Sequence, residues 1–332
     1  MNGPLRSLLL LSLAAAVGLP LSAQDGPGEA PDAPRTEGAL FLLLPVGAKA
    51  VSLGRAMTAM HGIESAFWNP AGLARVDESQ VVLFRGDNVA GTGTAVSALF
   101  AKPGLGALSA SYYLHDVGGQ DLTDRDGNFL GTLTVRNHLG IVSAAARLVE
   151  RVAVGVSFKL VQFRTACRGT FCPDVGTTAT TYAVDAGLQV QPYPSVRVGA
   201  MVAHLGPRLQ VLNAQQADPL PARVRVATAV DLISLLTDDE DLHGWLSIEL
   251  QDRLRDPGSL SLYMGSELIA GQADALFLRA GYVFSDLNQE DGARVGLGLR
   301  YERFDLAIAK SLAVSTLTGE TEPVHVTFSI RF

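Results

Sequence analysis

From Gln80 to the end of the chain, hydrophobic residues recur at every second position. In residues 151–160, Val152, Val154, Val156, Phe158 and Leu160 fall on one side, and Arg151, Ala153, Gly155, Ser157 and Lys159 on the other. Residues 295–302 repeat the pattern, with Val295, Leu297, Leu299 and Tyr301 opposite Gly296, Gly298, Arg300 and Glu302. Successive side chains of a strand point to opposite faces, so each such segment predicts a strand with one apolar and one polar face. About fourteen segments can be placed, an even number as closed bacterial barrels require. They begin near Gln80, Thr92, Leu105, Thr132, Arg151, Thr178, Ser195, Ala222, Leu242, Ser259, Asp274, Gly292, Arg303 and Pro323. The prolines beyond Asp77 fall at the boundaries between segments, since a ladder interior cannot use a residue without an N–H.

The connections alternate in length. Residues 101–104, 149–151, 191–195, 270–274 and the Glu302-Arg303 pair are short, and residues 116–131, 166–177, 206–221, 286–291 and 313–322 are longer. Residues 232–241 break the alternation and are predicted to hold a small helix. Short periplasmic turns with longer outer loops are the outer-membrane pattern, which puts both chain termini in the periplasm. A soluble β-sandwich also alternates, but its strands usually run to only ~5–6 residues. The last strand places Phe328, Ile330 and Phe332 on one face, an amphipathic, aromatic-ended signal of the kind read by barrel assembly machinery.

Composition agrees with a lipid-facing wall. Hydrophobic residues make up 48% of the chain and charged residues 18%, yet no apolar run after the first two dozen residues approaches the ~20 needed by a membrane helix. The fold class is therefore an all-β, closed antiparallel transmembrane barrel, with outer-membrane lipid as its surroundings. A net charge of −7, with no basic patch, excludes nucleic acid as a partner. Arg6, the apolar stretch 7–21 and Ala23 read as a signal peptide over residues 1–23. Residues 24–38, rich in Pro, Gly and acid, read as a disordered leader. The rest divides into an N-terminal hatch, residues 39–78, and the barrel, residues 79–332.

Candidate chemistry is sparse. The six histidines are scattered without metal-ligand spacing, and no hydrolase elbow or phosphate loop occurs, so neither an enzyme nor a cofactor is indicated. Cys167 and Cys172 are placed to pair in an oxidising compartment, closing a loop worth about 2 kcal/mol; a metal site is the alternative reading. The inward faces carry both signs, among them Lys159, Asp185, Arg225, Glu249, Glu267 and Arg279. This predicts a mutually neutralised lumen, because a selective channel would show one sign.

The period changes before the strands. Val46, Ala50, Leu53, Met57 and Met60 follow at intervals of four and three, which predicts an amphipathic helix. It leads into Phe67-Trp68-Asn69-Pro70-Ala71-Gly72. Asn before Pro favours an extended and then turning backbone, and Gly72 would permit a tight return. Trp68 brings a large apolar body with one N–H to satisfy. The barrel lumen is the available place to bury both pieces, so the segment is expected to fold inward as a plug.

These residues resemble a known family. Pro45, Gly47, Ala48, Lys49, Gly54, Arg55, Met57 and Met60, followed by Phe67 to Gly72, are similar to the N-terminal region of PorV/PorQ-type outer-membrane proteins, and the likeness continues through the later strands. Lys49 stands where that family usually has Arg. Arg55 replaces the second Gly of a pair, which would prevent the closest approach of the hatch. The resemblance implies a non-catalytic docking body for type IX-like secretion, with a translocon and cargo proteins as partners and the loops at 116–131, 206–221 and 313–322 as contact surfaces. More distantly, the Asn-Pro-Ala turn resembles the hatch of FadL-like transporters. That implies the alternative, passive passage of a small hydrophobic ligand past Met57, Met60, Phe67 and Trp68.

Overall fold

The computed structural model describes residues 37–88, 91–169, 176–211, 217–285, 291–313 and 324–332. The predicted signal peptide and the first thirteen residues of the predicted leader lie outside them. Fourteen strands occur among the described residues. The first seven are β1 (Gln80–Asn88), β2 (Gly91–Lys102), β3 (Gly106–Thr123), β4 (Phe129–Val149), β5 (Val152–Arg168), β6 (Gly176–Tyr193) and β7 (Val196–Leu205). The remainder are β8 (Arg223–Asp231), β9 (Leu242–Arg253), β10 (Ser261–Ala270), β11 (Ala275–Phe284), β12 (Gly292–Tyr301), β13 (Phe304–Ser311) and β14 (Val324–Arg331). Each strand pairs with its sequence neighbours, and β1 closes the barrel on β14 in antiparallel register, Gln80 opposite Arg331.

Closure leaves no edge strand around the belt where all fourteen strands pair, so ladder N–H and C=O groups there find partners within the wall. Burial is inverted relative to a water-soluble protein. Val142, Phe158, Leu160, Leu278 and Leu297 point outward and are exposed, whereas Lys159, Asp185, Glu249, Glu267 and Arg294 point inward and are buried. An apolar exterior around a polar lumen is what a bilayer requires of a barrel.

The connections correct two expectations. β3 to β6 are 17 to 21 residues long, so most of the stretch 116–131 is ladder rather than loop. The β3–β4 pairing continues to Thr123 opposite Phe129, across a bulge at Asp116/Gly118. The remaining turn is closed by Asp124, whose Oδ1 accepts the N–H groups of Asp126 and Asn128. Side-chain and backbone hydrogen bonds from Asn128 hold its carboxyl below the usual range. Residues 232–241 form no helix: a turn closes where the N–H groups of Leu236 and Thr237 donate to the Ile233 carbonyl. Asp231 organises it, accepting from Gly244 N–H and Ser234 N–H.

Cys167, near the end of β5, is disulfide-bonded. Cys172, the other cysteine of the chain, lies outside the described residues, as do parts of the predicted contact loops at 206–221 and 313–322.

The N-terminal segment runs through the lumen. A 3-10 turn at Leu40–Leu43 is followed by α1 (Ala48–Ser52), then by 3-10 turns at Ile63–Ala66 and Pro70–Arg75. α1 packs on β11 to β14, and the Pro70–Arg75 turn packs on β3 to β6. The predicted stripe is buried throughout, but not as one helix. α1 stops after five residues because Gly54 (φ 57°) and Arg55 (φ 70°) both take the left-handed conformation. Ser52, placed off the stripe by the pattern, is fully buried. The lumen wall surrounds the plug, so the polar side of the stripe is buried as well, and only residues such as Lys49 and His61 border open space.

Candidate functional site

The hatch is held together from its own residues first. Glu64 accepts the N–H groups of Lys49 (3.2 Å) and Ala50 (2.9 Å), so a carboxylate from a later turn caps α1. It sits against Gly47 (φ 104°), where a Cβ would overlap its carboxylate. Trp68 Nε1 donates to the Val46 carbonyl at 2.9 Å. Asn69 caps the following turn by accepting from Ala71 N–H (3.1 Å), and its Nδ2 donates to the Thr58 carbonyl (2.8 Å) and to Leu188 in β6 (3.3 Å). These bonds tie Val46, Thr58 and Ala71 into one unit, which explains the compact run of residue types from Phe67 to Gly72.

The wall is shaped to receive that unit. Inward-facing glycines form a belt at mid-barrel: Gly155 and Gly187 are direct cross-strand partners, as are Gly265 and Gly281. A Cβ on Gly155 would lie 2.4 Å from the Ala71 nitrogen, one on Gly199 2.1 Å from the Thr58 oxygen, and one on Gly281 2.2 Å from the Gly54 nitrogen. Hatch backbone therefore rests directly on wall backbone. Polar wall side chains answer its exposed peptide groups. Gln189 Nε2 donates to the carbonyls of Thr58 (3.0 Å) and Met60 (2.8 Å), and Ser247 Oγ donates to Ala56 (3.1 Å). Glu249 accepts from Thr58 N–H (2.8 Å), and Thr327 Oγ1 accepts from Ala48 N–H (2.8 Å).

Arg55 does not hold the hatch away from the wall. It takes the left-handed backbone conformation (φ 70°), while Gly54 makes the close approach against β10 and β11. Gly72 likewise acts by size rather than by turning: it lies inside a 3-10 turn, where a Cβ would meet Ser65 Oγ at 2.5 Å.

The lumen is divided into two compartments. Toward the long-connection end, Phe84, Tyr113, Leu139, Ile141 and Val161 form one apolar cluster on the inward face of β1 to β5, set among inward polar residues such as His115, Asn137 and Lys159. Phe41, Leu42 and Val46 of the hatch fill this chamber, leaving about 20 Å³ of free space, room for a single water. The leading turn is anchored at its start, where Glu37 pairs with Arg223 through two contacts of 2.6 and 2.7 Å, and Gly38 N–H donates to the Pro219 carbonyl. The opposite compartment is an open cavity of about 630 Å³ between the hatch and β9 to β14. Its charges are largely paired: Glu267 meets Lys49 (3.2 Å) and Arg279 (2.7 Å), and Asp305 meets Arg300 (2.8 Å) and Arg331 (3.1 Å). Arg197 stacks 3.5 Å over the Trp245 ring. Deeper in the wall, Lys159 pairs with Asp185 at 2.5 Å.

Met57, Met60, Trp68 and Phe67 meet in the lumen at the boundary of the compartments. Pro45 leads into α1. Phe328 and Ile330 face outward, and exposed Phe332 donates its N–H to the Ser79 carbonyl. The seating role of the wall residues Gln189, Ser247, Glu249 and Thr327 was missed, Glu249 having been read only as one of the inward charges. Their signal was present, since each lies on the inward parity of its strand within reach of the glycine belt, but parity alone does not say what a lumen residue faces. The apolar chamber was missed as well, because the inward residues of all strands were read as one lining.

No protein-family model matches the sequence, and no curated protein matches it. Solved structures do share the architecture. The CymD monoaromatic hydrocarbon channel is 12% identical with a TM-score of 0.61, over 90% of this chain and 99% of that one. The Pseudomonas putida toluene transporter TodX is 12% identical with a TM-score of 0.55, over 85% of this chain and 96% of that one. A Pseudomonas aeruginosa FadL homologue is 12% identical with a TM-score of 0.54, over 87% and 98%. At these identities the likeness is one of fold: a fourteen-strand barrel shared with outer-membrane channels.

Proposed function

We propose that the protein is an integral outer-membrane barrel that passes small hydrophobic compounds, with the start of β1 and the C-terminus on the periplasmic side and Glu37, at the head of the hatch, toward the outer end. One observation carries the reading: the apolar chamber exists and is filled by the chain's own Phe41, Leu42 and Val46. A site shaped for apolar groups and occupied by a short tethered segment is a site for which a free apolar compound can compete. The solved channels of the same fold, two of them named for monoaromatic hydrocarbons or toluene, support this choice of ligand class. The connection lengths support this orientation, being short, apart from residues 232–241, at the end where β1 begins and β14 stops.

The test is uptake of a small aromatic probe into liposomes carrying the full chain. Phe41→Ala combined with Leu42→Ala empties the chamber and is expected to raise uptake severalfold without altering the barrel's heat-resistant migration. Unchanged uptake in the double variant would remove the chamber from the pathway. The docking role implied by the PorV/PorQ resemblance is favoured by a different observation, the extensive seating of the hatch on the glycine belt. A barrel that stays plugged under apolar ligand yet retains a cargo protein would establish that reading instead.

A further inference from the structure

The outward face of β4 and β5 continues past the apolar belt. Reading up the paired strands, the outward partners are Ala144 and Val156, Val142 and Phe158, Gly140 and Leu160, His138 and Gln162, then Arg136 and Arg164. Arg164 shares its face with exposed Phe158 and Leu160, and Arg136 shares its face with exposed Val142, so both guanidinium groups point away from the lumen. Arg168 follows on the same face of β5, opposite Thr132. Like charges directly opposite each other on adjacent strands are destabilising unless something of opposite sign lies between them.

The protein supplies little of that sign. Arg136 donates to Asp116 at 2.9 Å yet remains 56% exposed, and Asp121, the next carboxylate on β3, accepts instead from Thr132 Oγ1. Arg164 and Arg168 have no acidic partner among the described residues. Between the three arginines lies a recess of about 410 Å³, lined besides them by Thr132, Thr134 and Ala166.

A second feature lies two outward pairs below, past His138 and Gln162. Gly140 faces outward, and nothing stands within 4 Å of the position its Cβ would take. Its cross-strand neighbours are Tyr112 and Leu160, and Tyr182 lies beyond Leu160. The wall therefore carries a notch between apolar and aromatic walls, leading up to the arginine pair.

We infer that this face binds a phosphorylated glycolipid of the outer leaflet. The headgroup phosphate lies between Arg136 and Arg164, and one acyl chain lies in the Gly140 notch. Arginine forks match phosphate oxygens in pairs, and the site sits where headgroups begin, two outward pairs beyond the last apolar one, past His138 and Gln162. The assignment rests on the orientation proposed above, which puts this end of the barrel outside the cell.

The experiment uses the full chain in neutral-lipid nanodiscs and measures binding of lipid A, a phosphorylated glucosamine-based lipid, against phosphatidylglycerol and inorganic phosphate. Arg136→Gln with Arg164→Gln is expected to weaken lipid A binding about thirtyfold, as two interfacial arginines should. Gly140→Leu fills the notch and is expected to weaken lipid A binding while leaving the arginines intact. Heat-resistant migration confirms that each variant is a folded barrel. Retained lipid A binding in the double arginine variant, or equal binding of phosphatidylglycerol, would overturn the assignment. Equal competition by inorganic phosphate would reduce the face to an anion site and also overturn it. None of these results depends on whether the lumen conducts.

Discussion

Two parts of the hatch meet the same wall in different ways. From α1 to Arg75, backbone lies on glycine and peptide groups are answered by Gln189, Ser247, Glu249 and Thr327. The leading turn, Leu40–Leu43, is held by apolar contact and by the Glu37–Arg223 pair at its start. Directional hydrogen bonds and backbone packing fix one geometry, whereas apolar contact accepts any group of similar size. The difference separates a seat from an occupant, and only the occupant can be exchanged for a ligand without dismantling the plug.

The sharpest way to break this distinction is Gly155→Leu. Its Cβ would overlap the Ala71 nitrogen and the Pro70 carbonyl carbon, and backbone cannot swing aside, so the hatch should lift at a cost of about 3 kcal/mol. Liposome swelling should then report a leak to small hydrophilic solutes; an impermeable variant would mean that the belt does not hold the plug. Gln189→Leu comes next. It leaves the carbonyls of Thr58 and Met60 without their wall donor, an expected loss of about 2 kcal/mol, visible as faster proteolysis within residues 48–75. Glu37→Gln should do least. Losing one charge of a pair near the lumen mouth is expected to cost about 1 kcal/mol. It should loosen only the leading turn, giving a small rise in aromatic uptake with no swelling leak. A swelling leak from this variant would merge the two parts into one.

Much of this was legible beforehand, for reasons that differ by element. Strand positions followed from the period of two because a bilayer demands an apolar residue at nearly every outward position of a strand such as β5. The burial of Val46, Leu53, Met57 and Met60 was also legible, but their conformation was not. Left-handed Gly54 and Arg55 break the helix, and Arg is a residue that rarely signals such a turn. The extended β3–β4 ladder was read as loop because Gly118 and Gly119 interrupt the alternation, where the structure places a bulge. The seat escaped notice because its meaning lies in which inward residue faces which peptide group, a fact of the folded lumen rather than of any one strand.

The seam between β1 and β14 has a consequence for biogenesis. It joins Gln80 to Arg331, so the wall cannot close until the final strand has arrived. The plug touches strands from both ends of the chain, β3 to β6 through one turn and β11 to β14 through α1. With the last strand paired to the first, the plug is enclosed between strands from both ends of the chain. A chain lacking residues 39–78 should therefore reveal itself during insertion, as an assembly intermediate that stalls before its two ends meet.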